Sequence, residues 1–574
     1  MATSYLAPGV YVEEVPSAMQ SIAGVGTNTL GFIGIVEDEI SYPEFLADDD
    51  YQDKLKKAYI ELYGKDEDYS DPKVTAKLAT ATLDQTTKAT ALTSANTRLA
   101  AAKARTVTAR TAQGNLAAGA DAAATIAAQQ AVDTAVANEA TVQATATTAK
   151  TEADDAQKAL DNATALSAKP EGDRIGTARS QAREGARAKV QRFKLTTFKV
   201  EVPVGQAKLC TNFSEFQSRF GPWSAYANDQ VASGDSNSVK LNGHQILSHA
   251  VYGFFSNSGT RAFVARVRKD NLAADLDQAL SNFESIESIS LVAFPGESAD
   301  SSVSAALVAH CEKTRYRFSI LDAPQNPLDE SDRLDLELLT YDSSRSVLPA
   351  RSKHAAIYFP YIEVVDPALQ MQQANLDTIP SKYKGLVYVP PSGAIAGIYA
   401  RTDNQRGVYK APANESVLGA RNVQYYIGRS AQEGLNPQGL NVIRTIEGAI
   451  TVYGARTLGG DQNFEWRYVP VRRTFLYLAK SIDAGTQWVV FEPNDLALWG
   501  KVKRNLSAFL TTQWRNGALF GATPEEAFYV KCDAENNPPD TREVGQLVIE
   551  VGVAIVRPAE FVIIRMTQGT AKAA

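Results

Sequence analysis

The sequence predicts an α/β protein of several domains that carries a long helical insertion, on three observations. Residues 289–322 read strand, helix, strand. Residues 71–170 hold 33 Ala and 19 Thr. The last third alternates apolar runs with amphipathic ones. The 574 residues suit three or four domains at about 150 residues each. A hydrophobic content of 44%, with 9% aromatic, can fill packed cores and excludes a wholly disordered chain. A net charge of −7 argues against a nucleic-acid binder. No run approaches the roughly 20 apolar residues of a membrane helix, and the start lacks a basic and apolar leader, so neither membrane insertion nor a secretory signal is expected. Cys210, Cys311 and Cys532 lie far apart, which fits a reduced cytoplasmic origin without a disulfide framework or a CxxC metal site.

Taken in order, Val10-Tyr11-Val12-Glu13-Glu14-Val15 reads as a short strand between Pro8-Gly9 and Pro16-Ser17, followed by small residues to Thr29. Gly24-Val25-Gly26 lacks the third glycine of a dinucleotide fingerprint and reads as a tight turn. Residues 70–192 contain no Phe, Tyr or Trp, so this stretch cannot build an ordinary core. Two Ala-rich helices, near 72–113 and 122–168, are expected to fold back at Gly114–Asp121 as a hairpin. At 1.5 Å per residue each arm would reach about 60–70 Å; a flexible low-complexity insert is the alternative. A basic connector with Arg174, Arg179, Arg183, Arg187, Lys189 and Arg192 follows.

From about residue 195 the pattern is globular. Ile289–Phe294 and Arg317–Asp322 are strands, each ended by proline, with Val303, Leu307, His310 and Cys311 at helical spacing between them: a parallel βαβ unit. Ala355–Phe359 and Gly385–Val389 read as further strands. Thr486–Phe491 is expected to be a strand stopped at Pro493. Asn494 or Asp495 then caps a helix. Trp499, Val502, Leu506, Phe509, Leu510 and Gln513 mark its core face; Lys501, Arg504, Asn505, Thr512 and Arg515 mark the other. Thr523-Pro524-Glu525-Glu526 reads as a capping box. Gln546–Val556 and Phe561–Met566 are the last strand-like runs.

The search for chemistry identifies no catalytic, cofactor-binding or metal site. There is no phosphate loop and no nucleophile elbow. His244 and His249 are five apart, off the spacing of a helical zinc pair. His310 fits a hydrogen-bonded structural role, as does Asp322, although it ends a parallel strand where α/β enzymes keep acids. Arg472-Arg473 and Lys501–Arg504 are basic clusters that read as exposed charge or as a docking surface for an acidic partner. The terminal runs 10–15 and 547–556 would leave bare strand edges. Pairing with another chain and pairing within one subunit both account for them.

Several long motifs then carry a resemblance. They are Pro8–Ser17 with Ile22–Thr27; Tyr358-Phe359-Pro360 with Val365-Asp366-Pro367; Pro390–Gly397; Arg406–Asn414; Asn441–Arg444; Gly454–Leu458; Tyr468–Asp533; and Pro558–Phe561. In these the chain resembles the contractile tail sheath proteins of phages and phage-like injection systems, over about 1–36 and 285–566. Tyr453 stands where the family usually has Trp, and the Ala/Thr-rich insert has no counterpart in it.

The resemblance implies a structural subunit, not an enzyme and without cofactor. It implies stacked hexameric rings forming a helical sheath around an inner tube, with baseplate and terminator proteins at the ends. A second sheath paralogue in the lattice stays open. It implies strand exchange between subunits through Val10, Tyr11, Val12, Glu13 and Val15 and through Val548, Ile549, Val551, Val553 and Ile555, with Ser17–Thr29 as the hinge. It also implies a tube-facing helix, here the one starting near Asp495, with Lys501, Lys503, Arg504 and Arg515 toward acidic tube residues. The expected organisation is an N-terminal strand arm and start of the core (1–40), a variable insertion (41–194) whose Ala/Thr-rich part (71–170) projects outward, a middle α/β domain (195–430) and a C-terminal core domain (440–574). The protein would be made in the bacterial cytoplasm and end in a phage tail or injection particle. A surface adhesin or decoration protein is the alternative.

Overall fold

The computed structural model describes residues 22–63, 71–114, 122–190, 192–226, 239–329, 331, 333–373, 385–561 and 563. It divides into two units, residues 1–44 with 193–574, and residues 45–192. The expected strands at 10–15 and 561–566 fall outside, or almost wholly outside, the described residues.

The first unit is built on a nine-stranded sheet. Its six central strands run parallel in the order Leu440–Ile446, Ala355–Phe359, Phe318–Asp322, Leu291–Ala293, Leu30–Ile35 and Ala262–Val267. Antiparallel strands close it: Lys208–Cys210 at one edge, Ala449–Val452 and then Glu415–Ser416 at the other. The Ser301–Thr314 helix links Leu291–Ala293 to Phe318–Asp322, which is the βαβ unit expected from the punctuation. Alternate side chains feed two cores. Leu30, Phe32 and Val264 pack beneath the Gly243–Ser256 and Ser392–Arg406 helices, whereas Ile33, Ile35, Ala265 and Val267 face the Leu272–Glu284 and Ser301–Thr314 helices.

The Gly243–Ser256 and Ser392–Arg406 helices cross backbone to backbone. A Cβ on Gly393 would collide with the Ala250 carbonyl, and one on Gly397 would lie 2.5 Å from the Phe254 carbonyl oxygen. Only glycine allows so close a crossing.

The second unit is helical. Asp71–Gly114 and Ala122–Ser167 pack along each other, with Gln85 Nε2 donating to Gln157 Oε1 at 3.1 Å, Lys88 to Glu152 at 2.7 Å and Gln113 to Gln129 at 2.6 Å. These pairings make the helices antiparallel. The covered positions advance by alternating steps of four and three: 78, 81, 85, 88, 92, 95, 99, 102, 106 and 109 on one helix, and 128, 132, 135, 139, 142, 146, 149, 153, 156 and 160 on the other. That is the period of a coiled coil, with Ala at many of the seam positions. The threonines lie mostly outside the seam and bond the carbonyl four residues back, as Thr82 does to Leu78 at 2.8 Å and Thr97 to Thr93 at 2.9 Å. Arg174 holds the end of the second helix by donating to the carbonyls of Leu166 and Lys169. Asp48–Tyr63 and Glu171–Lys189 complete the unit around Ala58, Ala186 and Val190.

Two readings of the sequence are corrected here. Thr486–Phe491 is not a strand. The Val469–Thr486 helix runs through Thr486 and a 3-10 turn covers Gln487–Val489, with Thr486 Oγ1 on the Ile482 carbonyl and Gln487 Nε2 on the Asp483 carbonyl. Thr523 makes no capping bond; Glu526 alone reaches back, to the Ala522 amide at 2.8 Å.

Gly393→Ala should force the two helices apart and cost about 1–3 kcal/mol, whereas Gly500→Ala, inside the Leu496–Arg515 helix with room for a Cβ, should stabilise by up to about 1 kcal/mol. Thermal denaturation of the two variants checks this; equal melting temperatures would refute the close crossing.

Candidate functional site

The features that could connect this chain to others gather on its C-terminal helices. The Val469–Thr486 helix starts at Tyr468 with Pro470 in its first turn, where a missing amide costs nothing. It buries Arg472 and Arg473, so this pair is neither exposed charge nor a docking surface, as the sequence suggested.

Arg473 forms a two-pronged ion pair with the equally buried Asp403, at 2.9 and 2.6 Å, and donates to the Thr27 carbonyl at 3.1 Å. Burial opposes its charge, but Asp403 outweighs burial and lifts the guanidinium above its ordinary range. Thr27 Oγ1 bonds the same carboxylate at 2.6 Å, and the Val25 amide bonds Ser481 Oγ at 3.1 Å. Ile22 packs on Gly485, and Gly24 lies under the Tyr477 ring. Residues 22–29 are therefore docked on this helix. Gly24-Val25-Gly26 is not a tight turn but the glycine-lined part of that docked segment, and only residues 17–21 of the expected hinge remain, outside the described residues. Arg472 instead faces His354 Nε2 at 2.7 Å, and burial lowers it to about 10.

A second clamp holds the other end of the chain. Glu560 accepts from Arg456 at 2.9 and 2.7 Å, from Asn436 at 2.7 Å and from the Tyr468 hydroxyl at 2.9 Å. Burial would raise its carboxyl, but the hydrogen bonds from Arg456 and Asn436 prevail and hold it below the ordinary range.

The C-terminal strand is shorter than the apolar run: Glu550–Val553, antiparallel to Phe528–Lys531 of the same chain. Upstream, Asn537 takes the amide and carbonyl of Val548 at 2.7 and 3.0 Å, and Asn494 takes the Gln546 carbonyl at 2.8 Å, so these residues cannot ladder. Ile549, Val551, Val553 and Ile555 turn half-buried side chains to the core of the Leu496–Arg515 helix, while Val548 is exposed. The amides of Ala554 and Val556 point inward, to Ala527 and Ala518. Strand backbones alternate sides, so those of Val551 and Val553 line the outer edge, which has no strand partner among the described residues. The expected exchange strand Val10, Tyr11, Val12, Glu13 and Val15 lies outside them.

The helix expected near Asp495 spans Leu496–Arg515, and Asp495 caps it by accepting from the Leu498 amide at 2.8 Å. Trp499, Val502, Leu506, Phe509, Leu510 and Gln513 are buried as expected. Asn505 is buried too, which corrects its assignment to the polar face. Lys501, Lys503, Arg504 and Arg515 are exposed and enter no ion pair among the described residues.

The titratable groups elsewhere are structural. Burial pushes His244, His310 and His354 down to about 4, which keeps them neutral at pH 7. His310 is bound to Arg317 at 2.7 Å, and His249 faces Asp366 at 3.4 Å. Asp322, raised to about 6 by burial, caps the Ser392–Arg406 helix through the Ser392 amide and hydroxyl and also accepts from the Gly296 amide. No group of three metal-ligating side chains occurs among the described residues. The three cysteines are buried and unpaired.

Comparison with known proteins identifies the family. Residues 271–458 match the phage tail sheath protein central domain and residues 461–569 the phage tail sheath C-terminal domain, together over half of the chain. A protein of Pseudomonas aeruginosa described as a prophage major tail sheath protein is 25% identical over 275 residues, 47% of this chain and 62% of that one. A tail sheath protein of Burkholderia phage BcepMu is 24% identical over 221 residues, 36% of this chain and 41% of that one. The chain thus aligns with less than two thirds of the length of each of these relatives. The sheath of PVC, an extracellular contractile injection system, in its contracted state shares the fold, with a TM-score of 0.50 at 24% identity, over 64% of this chain and 88% of that one.

Glu560→Gln should loosen the C-terminal clamp by about 3 kcal/mol and lower the melting temperature. Because the folded carboxyl titrates below its ordinary 4.5, the clamp is whole at pH 7 and should fail as pH falls through the folded value. A melting temperature equal to that of the unsubstituted chain would refute the clamp.

Proposed function

Because this chain belongs to the phage tail sheath family, we propose that it is the structural subunit of a contractile sheath. It assembles as stacked hexameric rings around an inner tube and drives that tube through a target envelope on contraction. The observation that carries this reading is the open outer edge of the Glu550–Val553 strand, set between two clamped chain ends. A strand from a neighbouring copy, residues 10–15, pairs there; Ile549, Val551, Val553 and Ile555 supply its partner, whereas Val548, tied to Asn537, does not. Five or six hydrogen bonds at about 1 kcal/mol net each give a joint of a few kcal/mol, repeated at every subunit. The mesh stays linked while subunits rotate, and contraction releases a metastable extended lattice into one with more buried surface.

The exposed cations Lys501, Lys503, Arg504 and Arg515 face acidic residues of the inner tube. Such surface pairs give about 0–1 kcal/mol each, a strength suited to a contact that must break on firing. Baseplate and terminator proteins bound the assembly.

Negative-stain microscopy of the expressed chain should show striated or contracted tubes, and removal of residues 1–20 should leave discrete subunits; tubes from the truncated chain would refute the strand joint. Lys501→Glu with Arg504→Glu should prevent extended sheath on tubes while tube-free polymers still form. Normal extended particles from that double variant would overturn the tube assignment.

A further inference from the structure

The loop between the Val469–Thr486 and Leu496–Arg515 helices carries the most exposed large apolar side chain among the described residues, Phe491, at 101%. Its φ is 70°, in the left-handed region that bulky residues avoid. Val490 and Leu496 beside it are 58% and 75% exposed. The loop itself is tightly held. The Val490 amide bonds the Gln487 carbonyl, and the Glu492 amide bonds that of Val489. Asn494 bridges the Trp499 indole and the Gln546 carbonyl, and Asp495 caps the helix that follows. A strained but well-bonded backbone thus presents a phenyl ring to water. Nothing in the single chain repays that arrangement; covering the ring with a partner does.

Phe491 precedes by four residues the Asp495 cap of the helix that carries the exposed cations. Leu496, Gly500 and Arg504 stand four residues apart in one row, and the Arg504 guanidinium lies 3.5 Å from where a Gly500 Cβ would be. Lys501, Lys503, Arg504 and Arg515 have no acidic partner among the described residues, in a chain of net charge −7. Apolar knob and unpaired cations therefore call for one complementary surface, apolar at its centre and acidic around it.

We infer that Phe491, with Val490 and Leu496, is the apolar anchor of this face and seats in an acid-rimmed apolar socket on the inner tube protein. The inference rests on the tube-facing reading above. The cations orient the encounter, and the ring supplies the concentrated contact that exposed ion pairs lack.

The test is co-expression of the full chain with the inner tube protein of the same particle, counting extended sheathed tubes by microscopy. Phe491→Gly removes the ring and suits the left-handed backbone, so its melting temperature should match or exceed that of the parent. Sheathed tubes should fall at least about tenfold, while tube-free sheath polymers form normally. Normal numbers of sheathed tubes from Phe491→Gly would overturn the anchor. In that event, loss of tubes in Lys501→Glu with Arg504→Glu would leave the tube-facing reading standing, and normal tubes in both would end both readings. Failure of tube-free polymers with Phe491→Gly would place the ring against a second copy of this chain and overturn the tube socket. A lowered melting temperature would make the ring part of the fold and overturn it equally.

Discussion

The structure depends on the buried pairing of Arg473 with Asp403. A guanidinium is costly to remove from water, and a carboxylate no less so. Here the cost is met by two parallel charge-assisted hydrogen bonds, by the Thr27 hydroxyl and carbonyl, and by the Tyr399 ring 4.6 Å from the guanidinium. The pair joins three segments far apart in sequence: the docked residues 22–29, the Ser392–Arg406 helix and the Val469–Thr486 helix. Losing either charge would strand the other and free the segment that leads toward the N-terminus. The same helix begins at Tyr468, whose hydroxyl reaches Glu560 near the other end of the chain. One helix therefore roots both terminal segments. In a lattice joined by those segments, force entering through one arm reaches the other through a single stiff rod.

That rooting suits the strand exchange proposed above. An arm that pulled freely out of its own globule would lengthen under load instead of transmitting it. Clamps of several charge-assisted bonds hold each root. The exposed cations on Leu496–Arg515 work by the opposite logic. They are solvated, unpaired and individually weak, so a contact made through them can be lost without disturbing the fold.

Much of this was legible in the sequence. Proline punctuation marked the parallel strands, because proline cannot donate to a ladder. Asp495 and the apolar stripe from Trp499 to Gln513 marked their helix, because cap and period agree. Other features were hidden for definite reasons. The seam of the long hairpin escaped notice because alanine fills the outer positions as well as the inner ones, so apolar periodicity carries little contrast. Thr486–Phe491 has strand composition, yet the preceding helix runs on through Thr486 and passes into a 3-10 turn at Gln487–Val489. Arg472 and Arg473 looked like surface charge because their partners, His354 and Asp403, are far away in sequence; only tertiary pairing makes burial tolerable.

Phe491 shows the same limit from the other side. Its neighbours Glu492-Pro493-Asn494-Asp495 announce a helix start, which accounts for every residue of the loop except the aromatic one. Phenylalanine normally marks a core, and the sequence offers no hint that this one faces water on a left-handed backbone. Burial would have fixed such a ring by packing; here the loop fixes it by hydrogen bonds around a position with no packing at all. A residue that costs its own fold stability and returns none belongs, energetically, to a surface the single chain does not contain.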